Sequence, residues 1–152
     1  MFEQFTQDTR RIVGYAMEEA RSLGDKRMGT EHLLLGALHE RGPADALGVS
    51  LEDARKATAR LDAAALKAIG FETADLERAA MPTRGRKPPF SSGAKEVMAS
   101  MVKQAVDQRS RKITASSLLI SLLEREEHDP VSALFQELKV DRAAVRDRLL
   151  SQ

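Results

Sequence analysis

Residues Arg27 to Leu38 read RMGTEHLLLGAL, and Lys112 to Leu123 read KITASSLLISLL. Each begins with polar residues and runs into a nearly unbroken apolar stretch. Apolar residues on almost every side mark a helix buried all round rather than one with a single apolar stripe. Thr30 is expected to cap the first of these helices, with Glu31 in its first turn where the helix dipole favours a carboxylate. Thr114 is expected to serve the second in the same way.

The two stretches lie 85 residues apart, and the same offset aligns their surroundings without a gap. Phe5 falls on Phe90, Ile12 on Val97, Val13 on Met98, Ala20 on Ala105, and Met28 on Ile113. The chain is therefore an internal duplication. Upstream of the first stretch, Ile12, Val13, Ala16, Met17, Ala20 and Leu23 recur at helical spacing. They form one face of a helix opened by Thr6 and stopped by Gly24. Downstream, Pro43 is expected at the first position of a short helix ending at Gly48. Ser50, with Asp53 three residues on, opens a longer helix through Leu51, Ala54, Leu61, Leu66 and Ile69. FETADLERAA, residues 71–80, reads as a further short helix.

Met81 to Pro89, MPTRGRKPP, holds three prolines, one glycine and three basic residues and has no periodicity, so it reads as a linker. The predicted fold is all-α: two tandem, pseudo-twofold-related four-helix repeats in one unit over 1–152, with repeat 1 at 1–80 and repeat 2 at 90–150. The tails match only if the first copy lacks about one and a half turns of its short helix, with Pro43 and Pro130 equivalent. A lone copy of about 60 residues would be marginally stable, so the two must pack together, leaving a seam between related surfaces.

Composition sets the outer limits. The 152 residues are 42% hydrophobic and 31% charged, with a net charge of +1 and no cysteine. Thiolate metal sites and a cysteine nucleophile are excluded, and the whole molecule exerts no strong pull on nucleic acid. No apolar run reaches the roughly 18 residues of a membrane span, and MFEQFTQDTRR lacks a signal-peptide core. The expected compartment is the cytoplasm, with no membrane partner.

Several residues suggest chemistry only to lose it on inspection. His32 and His39 lie two turns apart, about 10 Å along a helix, too far for one ion. Glu18 and Glu19 fall on the polar face of the first helix and read as solvated. His128 with Asp129 reads as the lead-in to a helix cap. Arg84, Arg86 and Lys87 form the one basic cluster. They support only an alternative reading, a nucleic-acid-associated regulator, since neither a broad basic face nor aromatic platforms accompany them. No metal, cofactor or catalytic residue is expected.

The stretch from Met1 to Leu38, MFEQFTQDTRRIVGYAMEEARSLGDKRMGTEHLLLGAL, closely resembles the start of the N-terminal domain of Clp-type unfoldases, the ClpC branch especially. In that family two helical repeats each carry GTEHxLLGL. The resemblance implies a non-enzymatic module that binds peptides, protein substrates or degradation tags, with a Clp ATPase, its protease or its adaptors as partners. It also implies a site for phosphorylated arginine, the guanidinium facing the motif's Glu, here Glu31 beside Thr30. The second copy has Ser116 and Ser117 where the motif has Glu and His. The resemblance further implies a hydrophobic groove that takes cyclic-peptide antibiotics, built here by Phe2 and Phe90 with Met1, Arg10 and Val13 near the first. No G-x-x-x-x-G-K-[ST] occurs, so these residues hold no P-loop. The expected role is a stand-alone adaptor or decoy; the alternative is the substrate-receiving domain of a ClpC-type ATPase.

Overall fold

The computed structural model describes residues 4–70 and 88–151. Among these, eight helices follow one another: α1 Gln7–Ser22, α2 Thr30–Ala37, α3 Arg41–Leu47, α4 Leu51–Ala68, α5 Ser92–Asp107, α6 Ala115–Leu123, α7 Pro130–Glu137 and α8 Arg142–Leu150. Residues 71–80, most of the linker, Met1 and Phe2 lie outside the described residues.

The duplication is written into the backbone. Phe5 pairs with Ile113 in an isolated parallel bridge, and Met28 pairs with Phe90 in another. The two bridges exchange under the offset of 85 residues. Their hydrogen bonds do the same: Thr6 N–H donates to Ile113 C=O at 3.1 Å, and Ser91 N–H to Met28 C=O at 3.0 Å. Ile113 N–H donates to Gln4 C=O, and Met28 N–H to Pro89 C=O, both at 2.8 Å. The segment entering each repeat is therefore pinned to the loop before the central helix of the other. Pro89, read as linker, is already part of this pairing.

Helices α2 and α6 form the centre and touch each other. Leu33, Leu34 and Leu35 of α2 and Leu118 and Leu122 of α6 have no exposed surface, as their apolar runs require. Helix α1 packs on α2, and α5 on α6. Further packing crosses the seam in matched pairs: α2 on α7 with α6 on α3, and α4 on α7 with α8 on α3. Each small repeat thus completes its core with the other. Gly36 lets α2 approach α1 closely, because a Cβ there would strike the backbone at Ile12 and Ala16. The matching residue, Ser121, is buried and receives a hydrogen bond from Gln104 at 3.2 Å.

Several local expectations hold. Gly24 and Gly48 adopt left-handed backbone after α1 and α3. The Ser50 hydroxyl accepts from Asp53 N–H at 3.0 Å, Asp129 caps α7, and Pro130 opens it. Others are corrected. Pro43 is the third residue of α3, which starts at Arg41 after Glu40. A proline is tolerated anywhere in the first turn, where its absent N–H is not needed. Helices α3 and α7 have 7 and 8 residues, so the first copy has not lost a turn and a half of helix. Most of the difference ahead of α3 falls in the connection before it, residues 38–40 against 124–129 between α6 and α7. Toward the end of α4 the expected stripe leaves the core, and Ile69 is 70% exposed. Among the described residues no helix is long and apolar enough to cross a membrane.

Candidate functional site

The seam opens into a cleft of about 700 Å³ at the mouth of α2. Three helix N-termini border it: Gly29 to Glu31 at α2, Ser91 to Gly93 at α5, and Asp129 with Pro130 at α7. Arg27 closes one side, and the α6–α7 connection supplies Arg125 and Glu126 on the other.

Thr30 sits differently from the expected cap. Gly29 is the N-cap of α2 and Thr30 its first helical residue. Under the 85-residue offset Thr114 matches Gly29, and Thr114 does cap α6, accepting from Ser117 N–H at 3.2 Å. Thr30 is buried, and its hydroxyl donates across the seam to Asp129 Oδ1. Asp129 Oδ1 also accepts from Val131 N–H at 3.1 Å, and its Oδ2 from Arg125 Nε at 2.8 Å. Arg125 reaches on to Glu96 Oε2 at 2.8 Å. A chain of Thr30, Asp129, Arg125 and Glu96 therefore walls the cleft and ties α2, α7 and α5 together.

Glu31 lines the cleft with about a quarter of its side chain exposed. Its carboxylate folds back over Gly29, where a Cβ would collide with Oε1. His32 lies behind it, only 3% exposed. His32 Nε2 meets Asp25 Oδ2 at 2.7 Å, while Nδ1 lies 3.0 Å from Glu31 Oε1 and 2.8 Å from the Gly29 amide. Burial pushes this ring toward neutrality, but hydrogen bonds and charge from Asp25 and Glu31 outweigh it and raise its pKa to about 9. A second opening of about 390 Å³ lies on this side, bordered by Asp25, Lys26, Glu31 and Asp62. Partial burial and the charges of Asp25 and Glu31 push the Asp62 carboxyl up, with His32 opposing.

The pseudo-twofold mate of the main cleft holds about 480 Å³ and is bordered by Asp8, Pro43, Asp45, Ala115 and Ser116. Ser116 thus takes Glu31's place in a cavity that still exists. Of the groove residues, Arg10 is exposed, Val13 is buried, and Phe90 packs half-buried against the core. Met1 and Phe2, and the basic cluster at Arg84, Arg86 and Lys87, lie outside the described residues. Glu18 is solvated as expected, paired with Arg21. Glu19 is not: it is buried, bonded by Arg55 Nη2 at 2.6 Å and by His39 Nε2 at 3.0 Å, with Tyr15 stacked on His39 at 4.3 Å. Among the described residues no cluster suited to a metal ion occurs.

Sequence reasoning singled out Glu31, which borders the cleft, but not Arg125 or Glu96, which border it as well. Asp129 was legible as a cap, but nothing in the pattern pointed to its partner on α2.

Known proteins place this architecture. The solved N-terminal domain of the chaperone ClpD from Arabidopsis thaliana superposes with a TM-score of 0.72 at 21% identity, covering 99% of this chain and 98% of that one. The N-terminal domain of Hsp104 from Candida albicans superposes at 0.63 and 15% identity, covering 97% and 89%. The chain is 28% identical to the chloroplastic chaperone ClpC1 of Arabidopsis thaliana and to a ClpA homologue of Guillardia theta, over 99% of its own length. It spans 15% and 17% of those two proteins. Residues 4–138 match the model of the Clp repeat (R) N-terminal domain, and the chain belongs to that family.

Proposed function

We propose that this chain is a non-enzymatic peptide- and protein-binding module of the Clp proteolysis system, and that the seam cleft is its ligand site. The observation that carries this reading is Glu31: a carboxylate set at the rim of an inter-repeat cleft, steadied by His32, in the motif that defines the family resemblance. A carboxylate in such a place suits a guanidinium group, which presents paired N–H donors in a planar fork. The ligands are arginine-bearing segments of protein substrates or degradation tags, phosphorylated arginine among the candidates. In this role the module acts as an adaptor, delivering what it binds, or as a decoy that competes for it. Phe90, with Phe2, Met1, Arg10 and Val13, would add an apolar surface for cyclic peptides.

Calorimetry with short arginine and phosphoarginine peptides tests the cleft. Glu31→Ala should weaken binding at least tenfold while leaving the helical circular dichroism nearly unchanged, with a modest fall in the unfolding midpoint because His32 loses one of its two carboxylates. Equal affinity in wild type and variant would return Glu31 to a purely local part in α2. A cyclomarin-like cyclic peptide tests the apolar surface separately, and no heat on titration into folded protein would remove it.

A further inference from the structure

Four residues around the mouth of α2 act on one another. Gly29 has no Cβ, and one placed there would strike Glu31 Oε1, so the carboxylate occupies the space the glycine leaves. His32 Nδ1 meets that same oxygen at 3.0 Å, and His32 Nε2 meets Asp25 Oδ2 at 2.7 Å. Glu31 Oε2 has no hydrogen-bond partner among the described residues.

The second repeat shows that none of the four is needed to build the helix. Under the offset of 85 residues, Asp25, Gly29, Glu31 and His32 fall on Ser110, Thr114, Ser116 and Ser117. All four are replaced together, and α6 forms with Thr114 as a side-chain cap, accepting from Ser117 N–H. Gly29 has no side chain to give α2 that bond. The first repeat therefore gives up a side-chain cap and holds a carboxylate in its place.

The proton on Nδ1 decides the arrangement. With it, the ring donates to Glu31 Oε1. Without it, the lone pair accepts from the Gly29 amide 2.8 Å away and faces the carboxylate oxygen lone pair to lone pair. Asp25 can keep Nε2–H in both forms, so the ring need not turn. Asp25 and Glu31 act on the ring directly, Asp62 faces the same opening from α4, and Lys26 and Arg27 border it. With a pKa of about 9 the ring carries its proton at neutral pH.

We propose that His32 is the positioning residue of the seam cleft: the proton on its Nδ1 fixes Glu31 Oε1 over Gly29 and leaves Oε2 as the oxygen offered to a guanidinium. This rests on the reading of the cleft as the ligand site, and it adds that Glu31 works there only as one of four residues. Loss of the proton sets the carboxylate loose, and a ligand must then order it on binding.

The test is calorimetry of the whole chain between pH 7 and 9.5. The probes are a blocked peptide carrying one arginine and the same peptide phosphorylated on that arginine. For whichever form binds, affinity should fall about fourfold over that range, because only about a quarter of a ring titrating near 9 is still protonated at pH 9.5. His32→Gln should bind severalfold more weakly at pH 7 and lose the pH dependence. Gly29→Ala keeps every charged group but displaces Oε1, which can swing aside without disturbing the fold, and it should act in the same way. Carboxyl-carbon NMR should show Glu31 shifting near pH 9 in the wild type and not in His32→Gln. Wild-type affinity that is flat or rises with pH would overturn the proposal and leave the cleft as the ligand site. A Glu31 carboxyl carbon indifferent to the titration of His32 would overturn it too. Failure of both peptides to bind the folded protein at any pH would remove the cleft reading and this role together.

Discussion

Thr30 and Asp129 lie 99 residues apart in sequence and share a buried hydrogen bond across the seam between the two repeats. Neither residue needs the other to form its own helix. Asp129 caps α7 through Val131 N–H, and α2 begins at Gly29 whatever Thr30 does. The bond therefore acts on how the repeats are held together rather than on whether helices form.

Thr30→Val isolates that contribution, since valine keeps the shape and removes the hydroxyl. Asp129 stays buried with one partner fewer, which should cost about 1–3 kcal/mol. Urea unfolding followed by circular dichroism measures it. A variant as stable as wild type would mean that Arg125 and Val131 alone satisfy the carboxylate.

How far this was visible beforehand differs from element to element. The apolar runs at Leu33–Leu35 and Leu118–Leu119 announce the two central helices, because burial on all sides leaves no polar stripe. Gly48 marks the end of α3 and Ser50 the start of α4, since left-handed stops and caps are local chemistry. Glu19 misled for the opposite reason. Helical spacing places it on a polar face, but its burial is decided by Arg55 on α4, 36 residues away, whose Nε lies 2.9 Å from Oε1. Periodicity describes one helix and carries no information about which charged residue another helix will bring to it. Thr30 shows a finer limit. Thr and Gly stand side by side at the entrance to α2, both acceptable caps, and the register is fixed by the pairing of Met28 with Phe90.

His32 gives a pH dependence whose sign can be worked out. Its pKa rises from an ordinary 6.5 to about 9 on folding, so the folded state holds the proton more tightly than the unfolded chain. The stabilisation is fully present below about pH 6.5 and is lost as pH climbs through about 9. The reason lies on Nδ1, where Glu31 requires a proton and the Gly29 amide requires a lone pair. The charged ring joins both carboxylates and gives up the amide; the neutral ring accepts the amide on Nδ1, keeps Asp25 through Nε2–H and gives up Glu31. Carbon-bound imidazole proton shifts followed by NMR should show His32 titrating near 9. The unfolding midpoint of wild type should fall between pH 7 and 9.5 more steeply than that of His32→Gln. A ring titrating below 6.5 would mean that the amide, not Glu31, holds Nδ1.

Two glycines should respond to alanine with opposite signs. Gly36 lies where α2 crosses α1, and an added Cβ would sit 2.7 Å from the Ala16 backbone nitrogen and closer still to the Ile12 carbonyl. These are backbone atoms that cannot swing aside, so the helices must separate, at a cost of about 1–3 kcal/mol or more. Gly14 is exposed on α1, and nothing lies within 4 Å of the same added atom. There the methyl group only restricts the unfolded chain and improves helix propensity, which should stabilise by about 0.5–1 kcal/mol. Thermal unfolding of the two variants against wild type reads both signs in one experiment. A neutral Gly36→Ala would show that the α1–α2 crossing can relax, and would remove close backbone approach as the reason for glycine at that position.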